Sequence, residues 1–130
     1  MPKKLDDYLQ EGIYGTKEIN PKEKHLFLGT FRERIEIALT IGQVMQPTPY
    51  REVEAVLQHQ KNIKMHLNGE IAYNHLSKYI KLATVHNIPF TNVQNLEGGT
   101  PIGLVLAYDK AIDKPEIFIK DSIFQKEMEA

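Results

Sequence analysis

The chain has 130 residues, 42% of them apolar and 25% charged, which is the size and make-up of one globular domain able to bury its own core. Sixteen basic against 17 acidic side chains leave a net charge of −1, which argues against wholesale capture of nucleic acid, and the absence of cysteine excludes disulfides, thiol catalysis and thiolate metal sites. No apolar run approaches the ~18 residues that span a bilayer, and MPKKLDDYLQ lacks the apolar stretch of a secretory signal, so the expectation is a soluble cytoplasmic protein with no membrane association.

Residues 1–30 read as a polar N-terminal arm of a single domain spanning residues 1–130. Leu5, Tyr8 and Leu9 fall at i, i+3 and i+4, on one helix face. Gly12 and Gly15 break that pattern. Asn20-Pro21 then predicts a short helix, with Asn20 as N-cap and Pro21 in the first turn, ending at Gly29.

Residues 31–45 begin with strand alternation. Ile35, Ile37 and Leu39 share one face, with Arg34, Glu36 and Ala38 on the other. Arg32 and Arg34, two apart, share the polar face. Thr48-Pro49 predicts the next helix, buried through Val53, Val56 and Leu57. Ile63, Met65 and Leu67 alternate with Lys64 and His66 in a second strand, which places His66 toward solvent. Asn68-Gly69 ends it.

Residues 70–86 carry the longest helical pattern. Ala72, Leu76, Tyr79, Ile80 and Ala83 form its stripe, and Lys78 and Lys81 lie off it. Asn87 suits a left-handed cap, and Pro89 stops any continuation. Two apolar runs follow, residues 88–93 and 102–108, with a polar, glycine-containing loop between them. The second is the most continuously apolar part of the chain and reads as a central strand buried on both faces. Thr100-Pro101 also fits a helix start, so residues 100–104 are open to a helical turn or a strand. Residues 113–116 form a turn, residues 117–119 a short last strand, and Asp121 or Ser122 caps a terminal helix.

This order predicts an α/β fold: a mixed four- to five-stranded sheet with covering helices, arranged strand-helix-strand-helix-strand-strand. Crossover helices imply parallel pairs in the first half, and short late connections imply an antiparallel addition.

The blocks LDDYLQEGIYGT and INPKEKHLFLGTFRERIEIALT resemble the YueI-like family of small uncharacterised bacterial proteins, over nearly the whole chain. The resemblance implies the chorismate-mutase-like α/β class and no activity. The second half, KLATVHNIPFTNV followed by GGTPIGLVLAYDKAI, is similar in fold to the kink-turn RNA-binding ribosomal proteins. It departs from them where they carry a Gly-Asn-Glu helix start that clamps RNA. Here the corresponding residues are Gln46, Pro47, Thr48, Pro49, Tyr50, Arg51 and Glu52.

No catalytic signature stands out. No two of the five histidines share i, i+4 spacing on one helix, so no metal site is expected, and no cofactor fingerprint is present. The three arginines, Arg32, Arg34 and Arg51, are the residues suited to forked recognition of phosphate or carboxylate. Their plainer role is ion pairing with Glu33, Glu36 or Glu54. Gly98, Gly99 and Thr100 offer backbone amides to an anion, or simply a tight connection with positive φ. Those six residues are the candidate ligand site.

Three functional classes follow. The first is a binding or regulatory module for an anionic ligand such as RNA or a nucleotide. The second is a protein-interaction or homo-oligomeric module, docking through Tyr8, Tyr14, Phe27 and Phe31. The third, a small-molecule enzyme, has no constellation behind it.

Overall fold

The computed structural model describes residues 21–94 and 98–129. The expected helix face at Leu5, Tyr8 and Leu9, the breaks at Gly12 and Gly15, the Asn20 cap and the aromatic Tyr14 lie outside them. In chain order come α1 (Pro21–Leu26), a 3-10 turn (Arg32–Arg34), β1 (Ile35–Thr40), α2 (Ile41–Val44) and α3 (Arg51–His59). They are followed by β2 (Ile63–Asn68), α4 (Tyr73–Val85), β3 (Phe90–Val93) and β4 (Ile102–Tyr108). The chain closes with α5 (Ser122–Phe124) and a π-helical turn (Gln125–Glu129).

The four strands form one mixed sheet in the order β1-β4-β2-β3. β2 and β3 are parallel, joined by α4 as the crossover, and β4 runs antiparallel to both β1 and β2. The antiparallel strand is therefore not added at an edge beside β3. It separates β1 from β2, which the helix between them would otherwise bring together. Its sequence explains the position: residues 102–107 are all buried, and only an interior strand can bury both faces. Residues 102–104 are strand, not a helical turn.

Each face of the sheet has its own core. Ile37, Leu39, Met65, Leu67, Leu104 and Leu106 meet Val53 and Leu57 of α3 and Leu76, Tyr79 and Ala83 of α4. On the other face Ile35, Ala38, Ile102, Val105 and Ala107 meet Leu26, Phe27 and Leu28 from the α1 side, with Ile117, Phe124 and Met128 from the C-terminal segment. Residues 26–28 of the expected polar arm are thus fully buried core, and Phe27 is not available for docking. Phe31 is half-buried.

A β-bulge explains why Ile35 and Ile37 do not share a face as alternation predicted. Ile35 pairs with Ala107 and Ile37 with Leu106, so Glu36 is the extra residue and the strand re-aims across it. The expected last strand at residues 117–119 is reduced to one parallel bridge between Phe118 and Ala38. Asp121 caps the terminal helix, accepting from the Phe124 amide at 2.9 Å.

Helix boundaries shift where side chains compete for backbone. Asn68 accepts the Glu70 amide in an Asx turn, so α4 starts at Tyr73 and Ala72 is its exposed N-cap rather than part of the stripe. The Tyr50 amide donates to the Tyr79 hydroxyl, so α3 starts after Tyr50 and not at Thr48-Pro49. The end of α4 follows expectation. Asn87 has φ 58, and the Ile88 and Asn87 amides bond back to Ala83 and Thr84, the Schellman pattern. Lys78 is not solvated as its place off the stripe predicted. Its ammonium donates to the Val44 and His75 carbonyls, each at 2.6 Å, tying α4 to the end of α2.

Candidate functional site

The six candidate residues fall at opposite ends of the sheet. Arg32 and Arg34 lie in the 3-10 turn that leads into β1, not on the strand itself. Arg51 opens α3, and the residue before it, Tyr50, donates its hydroxyl to Asp121 at 2.5 Å. Asp121 also accepts from Gln43, whose side chain in turn takes the amide of Thr40, the last residue of β1. The length of β1, six residues or about 20 Å, therefore stands between Arg51 and Arg34.

Gly98, Gly99 and Thr100 sit at the Arg51 end. Thr100 leads into Ile102, which pairs with Thr40. Both glycines have positive φ, 76° and 69°, as a tight connection requires. Their neighbours hold the loop to α1: the Thr100 hydroxyl donates to the Leu26 carbonyl at 2.9 Å, and the His25 ring nitrogen reaches the Gly99 carbonyl at 3.0 Å. No single small ligand can use all six residues.

The arginines differ in what they touch. Arg32 is committed to backbone: its guanidinium donates to the Lys114 and Pro115 carbonyls at 2.7 and 3.2 Å, and its amide donates to the Glu23 carboxylate. It clamps the loop after β4 against the 3-10 turn, where the Ile112 and Asp113 amides also bond the Glu33 carbonyl. Arg34 stacks over Phe31, 5.4 Å from the ring centroid. Among the described residues, neither arginine is ion-paired with a glutamate. Glu36 is taken by Lys114 at 2.5 Å and by the Tyr108 hydroxyl at 2.8 Å. Burial alone would raise the Glu36 carboxyl, but those two bonds outweigh it and hold the group below its ordinary range. Burial, helped by Glu36, pushes the Tyr108 phenol up to about 12.

Arg34 opens onto a cleft of about 460 Å³ on the second face of the sheet, beside Gly29 and Thr30. Lys61, Lys64, His66 and Asp109 also line it. Among the described residues, Arg34, Lys61 and Lys64 have no ion-pair partner, and Asp109 is the only acid in the lining. A second, wider cleft of about 770 Å³ adjoins it and shares Lys61, Asn62, Tyr108 and Asp109. Its charges are more balanced, because it contains the Glu36–Lys114 pair and Asp113.

His66 is not simply solvent-facing. The ring is half-buried, and its Nδ1 is shut off from solvent with no hydrogen-bond partner among the described residues. Burial, and then the charge of Lys64, push its pKa down. The Leu28 backbone lies close enough to favour the protonated ring but makes no properly formed bond to Nδ1. Lys61, Lys64 and His66 escaped the candidate list, although their signal was present. Lys64 and His66 share the face of β2 opposite Ile63, Met65 and Leu67. Which neighbours lie over that face is a tertiary fact.

Among the described residues, no cluster of His, Asp and Glu could hold a metal ion, and no helix is long and apolar enough to cross a membrane.

Residues 2–118 match the family described as "Protein of unknown function (DUF1694)". The chain is 44% identical over 123 residues to the "Uncharacterized protein YueI" of Bacillus subtilis (strain 168), covering 95% of this chain and 93% of that one. The crystal structure of the YueI protein from Bacillus subtilis has the same fold, with a TM-score of 0.84 at 43% identity, covering 95% of this chain and 97% of that chain. The likeness first visible in the LDDYLQ and LGTFRER blocks thus extends through sequence and fold, and the chain belongs to the YueI-like family of proteins of unknown function.

Proposed function

We propose that the protein is a cytoplasmic binding module for a small phosphorylated ligand, of which a nucleotide is the type, and that Arg34, Lys61 and Lys64 hold the phosphate. The observation that carries this reading is three cations without ion-pair partners, among the described residues, around one concave cleft. Its volume of about 460 Å³ lies within the usual range for small-molecule sites. The net charge of −1 favours a small anion over a long polyanion. Arg32 supports the site indirectly by fixing the loop that follows Asp109.

The test is a titration with nucleoside mono-, di- and triphosphates, inorganic phosphate and a short single-stranded RNA, at low and physiological salt. Binding of at least one small phosphate ligand is expected, weakening as salt rises. Arg34→Ala and Lys64→Ala should each weaken it about tenfold or more, the loss of one or more charge-assisted hydrogen bonds. Arg51→Ala, at the far end of the sheet, should leave it unchanged. Binding to RNA alone would move the reading to a nucleic-acid module. No binding at low salt, or equal loss in all three variants, would sink it.

One observation supports the alternative of a protein-interaction or homo-oligomeric module. β3 is an edge strand, and Val85 and Phe90, on either side of the α4–β3 connection, are 72% and 39% exposed. Sedimentation of the wild type and of Phe90→Lys separates the two readings, because the cleft reading expects the same monomer from both.

A further inference from the structure

Within the cleft, one titratable group is not explained by a simple cation site. His66 projects from the middle of β2 on the face that also carries Lys64. The cleft it lines is shared with Arg34 from the 3-10 turn, Lys61 from the approach to β2, and Tyr108 and Asp109 from the end of β4. The α1–β1 connection contributes the uncharged Gly29 and Thr30, and the approach to β3 contributes Pro89. Three positive charges and one negative charge therefore line the cleft with His66, and Lys64 is the one that acts on the ring in the absence of an anion. His66 lines the cleft although its Nδ1 is shut off from solvent.

We propose that His66 is the proton-coupled member of this site, taking up a proton when a doubly charged oxyanion seats between Arg34, Lys61 and Lys64. The inference rests on the cleft being an anion site. Its physical basis is the balance of charge around the ring. Without an anion in the cleft, burial first and then the Lys64 ammonium hold the imidazole below its ordinary pKa and so favour the neutral ring. An oxyanion among those cations reverses the local field. The protonated ring then adds a third kind of donor beside guanidinium and ammonium. The proton comes from solvent, and no bond in the ligand is broken.

Linkage gives the sign. Free protein holds fewer protons at His66 than bound protein, so affinity rises as pH falls. The change approaches about tenfold per pH unit where one full proton is taken up. A ligand specific for a singly charged group would gain less. The site thus prefers a terminal phosphate monoester to an internal diester, which selects a mononucleotide or a phosphorylated metabolite over an RNA backbone.

The experiment uses the full chain and two probes. Sulfate keeps its double charge across the range, whereas adenosine monophosphate has its own phosphate step near pH 6, as phosphate monoesters do at about 6. Affinities for both are measured from pH 8 to pH 6. For wild type, sulfate binding should tighten at least threefold over that range. For His66→Gln it should stay flat, with residual binding from the three cations. Because a substitution at a half-buried position can damage folding, the wild-type ring is also followed directly by NMR. Its titration midpoint should move up when sulfate saturates the cleft. A wild-type affinity for sulfate that ignores pH, or a midpoint that does not move on saturation, overturns the inference while leaving the cation site standing. No binding of either probe at any pH overturns both. Wild-type pH dependence that survives in folded His66→Gln assigns the proton elsewhere and overturns this assignment alone.

Discussion

Gln43 shows how much structure one side chain can hold. It is fully buried, in a four-residue helix too short to be stable by itself. Its carbonyl oxygen accepts the Thr40 amide at 2.9 Å, and the Thr40 hydroxyl accepts the Gln43 amide in return, a complete capping box. Its amide nitrogen donates to the Ile119 carbonyl at 2.7 Å and to Asp121 at 3.0 Å. The same side chain thus caps α2 and pins the C-terminal segment. Glu127 adds a second pin, accepting from the Gly42 amide at 2.9 Å and from the Thr40 hydroxyl. A Cβ on Gly42 would lie 2.7 Å from that carboxylate, so the glycine makes room for the contact. Gln43→Leu keeps the bulk but orphans the Thr40 amide and the Ile119 carbonyl. It should cost about 1–3 kcal/mol in denaturant unfolding. A loss under about 0.5 kcal/mol, the ordinary range for an inconsequential surface change, would mean the two pins are redundant.

At the scale of elements, β4 is the reference for everything else, and Gly103 is its most constrained position. The register steps from Leu104 opposite Leu39 to Ile102 opposite Thr40, leaving Gly103 as an extra residue. A Cβ there would meet the Thr40 carbonyl at 2.9 Å, the Ile41 Cα at 3.1 Å and a Val44 methyl at 2.8 Å. Two of the three are backbone and cannot turn aside. Gly103→Ala should therefore destabilise by about 1–3 kcal/mol, the range for overpacking, against the small gain alanine gives at an unhindered site. A neutral or stabilising result in thermal unfolding would show that α2 can retreat from the strand. Much at this scale was legible beforehand. The run from Ile102 announced a buried strand, Asn87 announced the end of α4, and alternation announced β2. The bulge at Glu36 was not, because an extra residue in one strand is defined only by its partner. The end-to-end split of the candidate site was hidden for a similar reason: Arg34 and Arg51 are close in sequence, but β1 carries the chain the whole length of the sheet between them. The Lys78 bonds to α2 were hidden too, since helical spacing says which face a lysine leaves but not which carbonyl waits beside it.

For the whole molecule, the two faces of the sheet are covered by different parts of the chain. α3 and α4 cover one face as crossover helices. The other depends on α1 and on a segment almost a hundred residues later, through Ile117, Phe124 and Met128. Ending the chain after Glu116 would uncover Ile35, Ala38, Ile102 and Val105 and would remove Ile119 and Asp121 from the Gln43 side-chain amide. That variant should bind a hydrophobic dye that the full chain ignores and should melt well below it, because removing buried apolar groups forfeits both transfer and packing energy. An unchanged melting point would show that the first face alone supports the fold.

The central place of β4 has one more consequence, in time rather than in space. As the chain leaves the ribosome, β1 and β2 emerge long before the strand that joins them. Neither can complete its hydrogen bonding against the other, since β4 belongs between them. β2 and β3 can pair early through α4, but β1 must wait for residues more than sixty positions away, with Ile35 finally meeting Ala107. Contacts of that span raise the entropy lost before any pairing rewards it, and slow the search. Until β4 arrives, the nascent chain carries an apolar strand with two open edges, which is when a helper that shields strands would matter most to this protein.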